Sequence, residues 1–155
     1  MALTRDAVFV DPQVQLHNGN LTLDLGDTTP GVFVGALWTG SVTPNFSQTS
    51  PAYGAAPWDA GESSGPGYSA GGQAIEVVSF AELVSTPGKS GWLINPLEWT
   101  ETTLTAEGLL IYRASDDLAL LLRYFGQQYT TADGVFSITP HTDGIWRRAH
   151  LGQVA

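Results

Sequence analysis

Leu118-Ala119-Leu120-Leu121-Leu122-Arg123-Tyr124-Phe125 is the stretch on which the fold turns. Its leucine and alanine content favours helix, and Ser115-Asp116-Asp117 stands in front of it as a cap. Gly126 limits it to a length that suits a fully buried strand as well as two helical turns, so periodicity alone does not separate the two. The neighbouring segments decide. Upstream, residues 102–113 are threonine-rich before becoming the apolar run Leu109-Leu110-Ile111-Tyr112, and residues 91–94 and 98–100 are short β-like pieces split by Asn95-Pro96. Downstream, residues 134–139 and 144–149 are two β-like segments separated by the turn-forming Pro140-His141-Thr142-Asp143. With strands on both sides, the leucine run reads as a strand.

Further out, residues 74–83 alternate as a strand does. Leu21-Thr22-Leu23-Asp24-Leu25 has period two, and residues 32–38 form a β-rich run after Thr29-Pro30-Gly31, so this region predicts two antiparallel strands. About nine short strands at roughly ten-residue spacing predict an all-β fold, an antiparallel β-sandwich of jelly-roll-like or Ig-like type. Residues 1–20, punctuated by Pro12 and Asn18-Gly19, read as an extended N-terminal arm or a short helix, leaving residues 21–155 as a single sandwich domain.

Gly67-Tyr68-Ser69-Ala70-Gly71-Gly72 reads as a shaped corner, in which glycines permit positive φ and close backbone approach while one aromatic fills the space between them. It closes a proline- and glycine-rich stretch, residues 40–72, that carries Phe46, Tyr53, Trp58 and Tyr68. A long loop with four aromatics is not composed like a flexible linker and is expected to be ordered by contact, either with its own sheet or with a neighbouring subunit.

Charged residues make up 14% of the chain, well below the roughly 25% of a typical soluble domain. A surface so poor in charge suits a subunit with protein-covered faces, which points to a homo-oligomer or an assembly. The net charge of -9, with Lys89 the single lysine, argues against binding a phosphate backbone; Arg147-Arg148 with His150 nearby is the one basic cluster, better suited to a partner's carboxylates. No run approaches the length of a membrane span, no export signal stands at the start, and the lack of cysteine accords with synthesis in a reducing cytoplasm.

Catalytic and cofactor chemistry finds no set of residues. His17, His141 and His150 lack metal-ligand spacing, and Asp143 before Gly144 reads as a turn initiator beside His141. Asp116-Asp117 is an adjacent pair whose side chains diverge, unlike the opposed carboxylates of a glycosidase. Asp116, Asp117 and Asp133 fall on two loops rather than in one calcium loop. Gly65-Pro66-Gly67 lacks a phosphate-loop lysine, and the following glycines have neither the strand nor the helix of a dinucleotide fingerprint. The chain therefore reads as neither an enzyme nor a cofactor carrier. Trp38, Trp92, Trp99 and Trp146 lie in β-like runs and are assigned to the core. Candidate protein-contact residues are Val8, Phe9 and Val10 in the arm and Phe46, Tyr53, Trp58 and Tyr68 in the loop.

The order of short motifs adds a resemblance. Leu23-Asp24-Leu25, Val34-Gly35-Ala36-Leu37, Thr43-Pro44-Asn45 and the Gly67 to Gly72 corner are followed by Glu98-Trp99-Thr100 and Leu110-Ile111-Tyr112. Then come Tyr124-Phe125-Gly126, Gly134-Val135-Phe136-Ser137-Ile138 and Asp143-Gly144-Ile145. Over most of its length the chain resembles a family of small virion structural proteins of tailed phages. The resemblance implies a capsid decoration or minor capsid protein, made in the host cytoplasm and seated on the outer surface of the head. Its partners would be the major capsid protein and copies of itself, with a trimer expected from capsid symmetry. The alternative within the resemblance is a tail or fibre-associated protein that binds host glycans.

Overall fold

The computed structural model describes residues 3–149 and is built almost wholly of antiparallel strands. In chain order the elements are β1 (Ala7–Val8), α1 (Val10–His17), β2 (Phe33–Trp38), β3 (Gln73–Ala74), β4 (Val77–Glu82) and β5 (Lys89–Ile94). They continue with β6 (Leu97–Thr102), β7 (Thr105–Arg113), β8 (Leu118–Thr130), β9 (Gly134–Ile138) and β10 (Trp146–Ala149). Three sheets result: a five-stranded one ordered β1-β8-β7-β2-β3, a three-stranded one ordered β10-β5-β4, and the pair β6-β9.

The leucine run is β8, paired in antiparallel register with β7 from Arg113↔Leu118 onward. It is apolar throughout its first half because the five-stranded sheet is covered on both faces, the condition under which strands lose their alternation. On one face Phe33, Leu37, Leu109, Ile111 and Leu121 pack against Trp92, Ile94, Leu97, Trp99 and Phe136 from the two smaller sheets. On the other, Trp38, Leu110, Ala119 and Leu122 pack against Leu3, Phe9, Val42 and Trp58. The second cover is not a sheet; it is the N-terminal segment and the long loop. The strand also continues past Gly126, which takes φ 84° inside a register shift opposite Glu107 instead of ending the element.

Of the two readings of residues 1–20, the described part follows the short helix, α1, and not an extended arm: Leu3 and Phe9 are fully buried, β1 adds to the edge of β8 through Ala7↔Leu122 and Val8↔Leu121, and Gly19 closes the helix at φ 74°. Pro12 lies in the first turn of α1, where its missing N–H costs no helical bond, and the burial of Phe9 adds about 1.5–3 kcal/mol relative to leaving it in water. A second expectation needs correction. Residues 21–25 alternate but are no strand. Leu23 and Leu25 pack at the margin of the core, and the Thr22 carbonyl accepts from Arg113 Nη1 at 2.6 Å, while β2 takes β7 and β3 as its ladder partners.

Candidate interaction surface

The corner at residues 67–72 is held by one carboxylate. Glu62 accepts hydrogen bonds from the Tyr68 hydroxyl at 2.7 Å, the Tyr53 hydroxyl at 2.8 Å and the Gly71 N–H at 2.7 Å. The Tyr68 hydroxyl in turn accepts from the Leu37 N–H of β2 at 2.9 Å, and the Tyr112 hydroxyl of β7 donates to the Gly71 carbonyl at 2.9 Å. Tyr53 and Tyr112 stack with centroids 4.6 Å apart. Burial, then the bond to the Glu62 carboxylate, pushes the Tyr68 phenol far above its ordinary value, and the same causes in the same order raise Tyr53. Gly72 sits at φ 82°, where a Cβ would overlap the Gly35 carbonyl oxygen of β2, so the close backbone approach read from the glycines is real. This cluster is a clasp that locks the loop onto the central sheet.

That clasp decides where the loop aromatics go. Trp58 is fully buried, with its ring edge-on to Trp38 at 5.1 Å and to Phe9 at 5.9 Å; Phe46 and Tyr53 pack on the same cluster, and Tyr68 packs on the opposite face. Of the seven contact candidates, Phe9 and Trp58 have no surface to offer a partner, and Val8, Phe46, Tyr53 and Tyr68 are half-buried against their own chain. Val10, at the start of α1, is 51% exposed. The structure thus brings six of the seven into packing within the chain itself. Among the described residues the indole N–H groups of Trp38, Trp58 and Trp92 have no oxygen or nitrogen acceptor, and each ring lies in an edge-to-face aromatic pair.

The open surface lies elsewhere. A trough of about 940 Å³ runs between β8 and β9, floored by Val8, Leu121, Phe125, Phe136 and Ile145 and rimmed by Asp6, Arg123, His141 and Arg147. Arg123 pairs with Asp6, whose other carboxylate oxygen accepts from the Tyr124 N–H at 2.6 Å. Arg147, read from sequence as a match for a partner's carboxylate, pairs with Asp143 of its own chain at 3.0 Å. His141 and Asp143 form the turn read from the sequence: the Asp143 N–H donates to His141 Nδ1 at 3.1 Å and the Gly144 N–H donates to the His141 carbonyl at 2.8 Å. His150 lies outside the described residues. A second apolar exposure lies on β4 and the turn after it: Val78 is 52%, Phe80 38% and Val84 96% exposed.

Sequence reasoning missed Glu62 and the trough. Glu62 was discernible as a carboxylate between two tyrosines within one ordered loop. The trough was not, because it depends on β8 and β9, distant in pairing, being brought side by side.

Among the described residues no group of histidine and carboxylate side chains is arranged to hold a metal ion, and no helix is long and apolar enough to cross a membrane. No protein-family model, no curated protein and no solved structure matches the chain. The described surfaces offer an apolar floor between β8 and β9, strand edges and a few charges.

Proposed function

We propose that this chain is a virion structural protein of the capsid decoration type, a β-sandwich subunit that binds the outside of a phage head and reinforces the major capsid lattice. The observation that carries the reading is the exposed apolar edge at β4. Val78 and Phe80 face solvent on a strand that, among the described residues, has a neighbour on one side only, and Val84 is exposed in the turn after it, in a chain poor in charged residues. An uncovered apolar edge is a pairing hazard in a free monomer and an asset in a subunit whose edge is covered by its neighbours. On a lattice, many modest contacts of this kind add through multivalency, so no single interface needs to be large. The partners are the major capsid protein and other copies of the chain, as a trimer. The role is mechanical and not catalytic.

Because Leu3, Phe9 and Trp58 build the second core, the grip falls to the β4 edge and Val10 instead of the loop aromatics. The test is copy number in purified particles by quantitative mass spectrometry against the major capsid protein. A ratio near one to one, or a simple fraction of it, supports decoration. A handful of copies moves the chain to the tail or fibre, with glycan binding as its role, and absence from the particle overturns the reading.

A further inference from the structure

We infer that the β4 edge of one copy of this chain pairs with the β10 edge of the next, head to tail, so that the three-stranded sheet continues from copy to copy. This rests on β4 being an assembly surface, as proposed above, and names the surface that meets it; it needs no phage head.

The backbone allows it. The sheet is ordered β10-β5-β4, so among the described residues each outer strand has one neighbour and one open edge. Both are antiparallel to β5 and therefore run parallel to each other. A rotation about an axis along the strands brings the β4 edge of one copy against the β10 edge of the next, with the two strands parallel and at one height, as a parallel ladder requires. The four residues of β10 give that ladder about 13 Å. The trough runs beside Trp146 and Arg147, which leaves room for an added strand. Such a contact is heterologous, and a trimer is built from no other kind, because an isologous contact joins copies two at a time.

At one height the side chains match. Ser90 of β5 lies opposite Glu82 on one side and Arg148 on the other, so these two stand in one cross-strand row on one face of the sheet. The rotation therefore sets Glu82 of one copy beside Arg148 of the next. Neither has an opposite charge of its own among the described residues: Glu82 accepts the Gly88 N–H at 3.2 Å, and Arg148 meets the His17 imidazole at 3.4 Å. Arg147 is already neutralised by Asp143 and takes no part. Two positions along, Phe80 and Trp146 both lie opposite Trp92, so the same rotation covers the exposed Phe80 ring with Trp146 of the next copy. Two-fold contacts oppose like charges instead. A β4 pair centred on Ser79 faces Glu76 with Glu82, and a β10 pair centred on its own strand faces Arg147 with Arg148.

The chain has no cysteine, so introduced thiols report the contact directly. Glu82→Cys with Arg148→Cys in one chain leaves the thiols two strands apart within a copy, about 9–10 Å and too far for a disulfide, but one strand apart, about 5 Å, across the join. Mild oxidation of the purified protein at about 1 mM is expected to give disulfide-linked dimers and higher multiples on a non-reducing gel, at least about tenfold more than either single variant gives. In sedimentation equilibrium up to about 1 mM, Glu82→Arg and Arg148→Glu are each expected to weaken association by about tenfold, and the two together to restore it to within about threefold, because the swap rebuilds the ion pair. Both side chains are exposed, so the circular dichroism spectrum should stay unchanged. A parent protein that stays monomeric at about 1 mM overturns the inference, as does single-variant association equal to the parent's. Cross-linking no greater than in the single variants, or strong cross-linking of Glu82→Cys alone, overturns it as well. Copy number in particles decides the decoration reading separately, so a chain that assembles this way in solution but is absent from particles fails that reading and keeps this one.

Discussion

Trp58→Ala is the substitution that most directly separates a loop that covers its own sheet from a loop that reaches for a partner. Trp58 is 1% exposed and its ring meets Phe9 and Trp38 edge-on. A tryptophan side chain buries about 200 Å², which at about 25 cal/mol per Å² amounts to about 5 kcal/mol, and large-to-small substitutions of this kind cost about 3–5 kcal/mol once partial collapse is allowed. For a domain of this length each kcal/mol moves the midpoint by about 2–4 °C, so the melting temperature should fall by at least about 6 °C. Trp58→Phe keeps most of the ring and removes an N–H that has no acceptor, so it should cost less than about 1.5 kcal/mol. Thermal and urea denaturation of the three proteins is the assay. A Trp58→Ala midpoint within about 2 °C of the parent would refute the packing argument and return the loop aromatics to partner contact.

Four other outcomes follow from the same geometry. Glu62→Gln replaces one acceptor oxygen with a donor that faces hydroxyls and an N–H already donating, and should cost about 1–3 kcal/mol in urea denaturation, with the loop becoming sensitive to protease. Gly72→Ala combines φ 82° with overlap on the Gly35 carbonyl and should destabilise far more than Gly19→Ala, where φ is 74° but space is open and the cost is about 1–2 kcal/mol; equal midpoints would refute the close approach. Because the Tyr68 phenol is raised in the folded state above its ordinary value of 10.0, the native chain keeps a proton that the unfolded chain releases. Its contribution is intact below pH 10 and is lost as pH rises beyond it, by at most about 1.4 kcal/mol per pH unit, and Tyr68→Phe should flatten that slope in urea midpoints taken at rising pH. Deleting residues 2–15 strips Leu3, Phe9 and β1 from the fold, so it should lower thermal stability, and an unchanged midpoint would show that the segment is dispensable.

How much was legible in the chain depended on whether a signal was local. The assignment of β8 as a strand followed from its neighbours, and the turn chemistry at Asp143-Gly144 and the corner at residues 67–72 were written in residues whose φ requirements are their own. The short helix in residues 3–20 was legible as one of two readings, but its packing was not, because nothing within the segment says that Phe9 will find Trp58, nearly fifty positions on. The alternation of residues 21–25 misled for a related reason: a period of two records which side chains face the core, and a loop lying along the core margin produces it without ladder bonds. The loop aromatics left two readings open in the sequence because both require burial, and the difference between self-burial and burial by a neighbour is one of distance between elements.

The two-sided burial of the central sheet also leaves exposed apolar surface chiefly at the edges of the smaller sheets. The outer faces of β2, β7 and β8, where a sheet protein could carry a flat binding surface, are closed by the clasped loop and the N-terminal segment. Closing both faces leaves the smaller sheets to end as they can: among the described residues β4 is bare on one side and β9 and β10 each have one neighbour. A protein with few charges to blunt such edges, and with Lys89 as its only lysine, lacks the usual device for keeping strands apart. In the proposed role these edges are covered by neighbouring subunits. Introducing lysine at Val78 and Phe80 tests this: in a subunit with a defined partner it should abolish incorporation while leaving the monomer folded and better behaved at high concentration. Retained incorporation would place the contact at another surface, with the trough between β8 and β9 as the next to test.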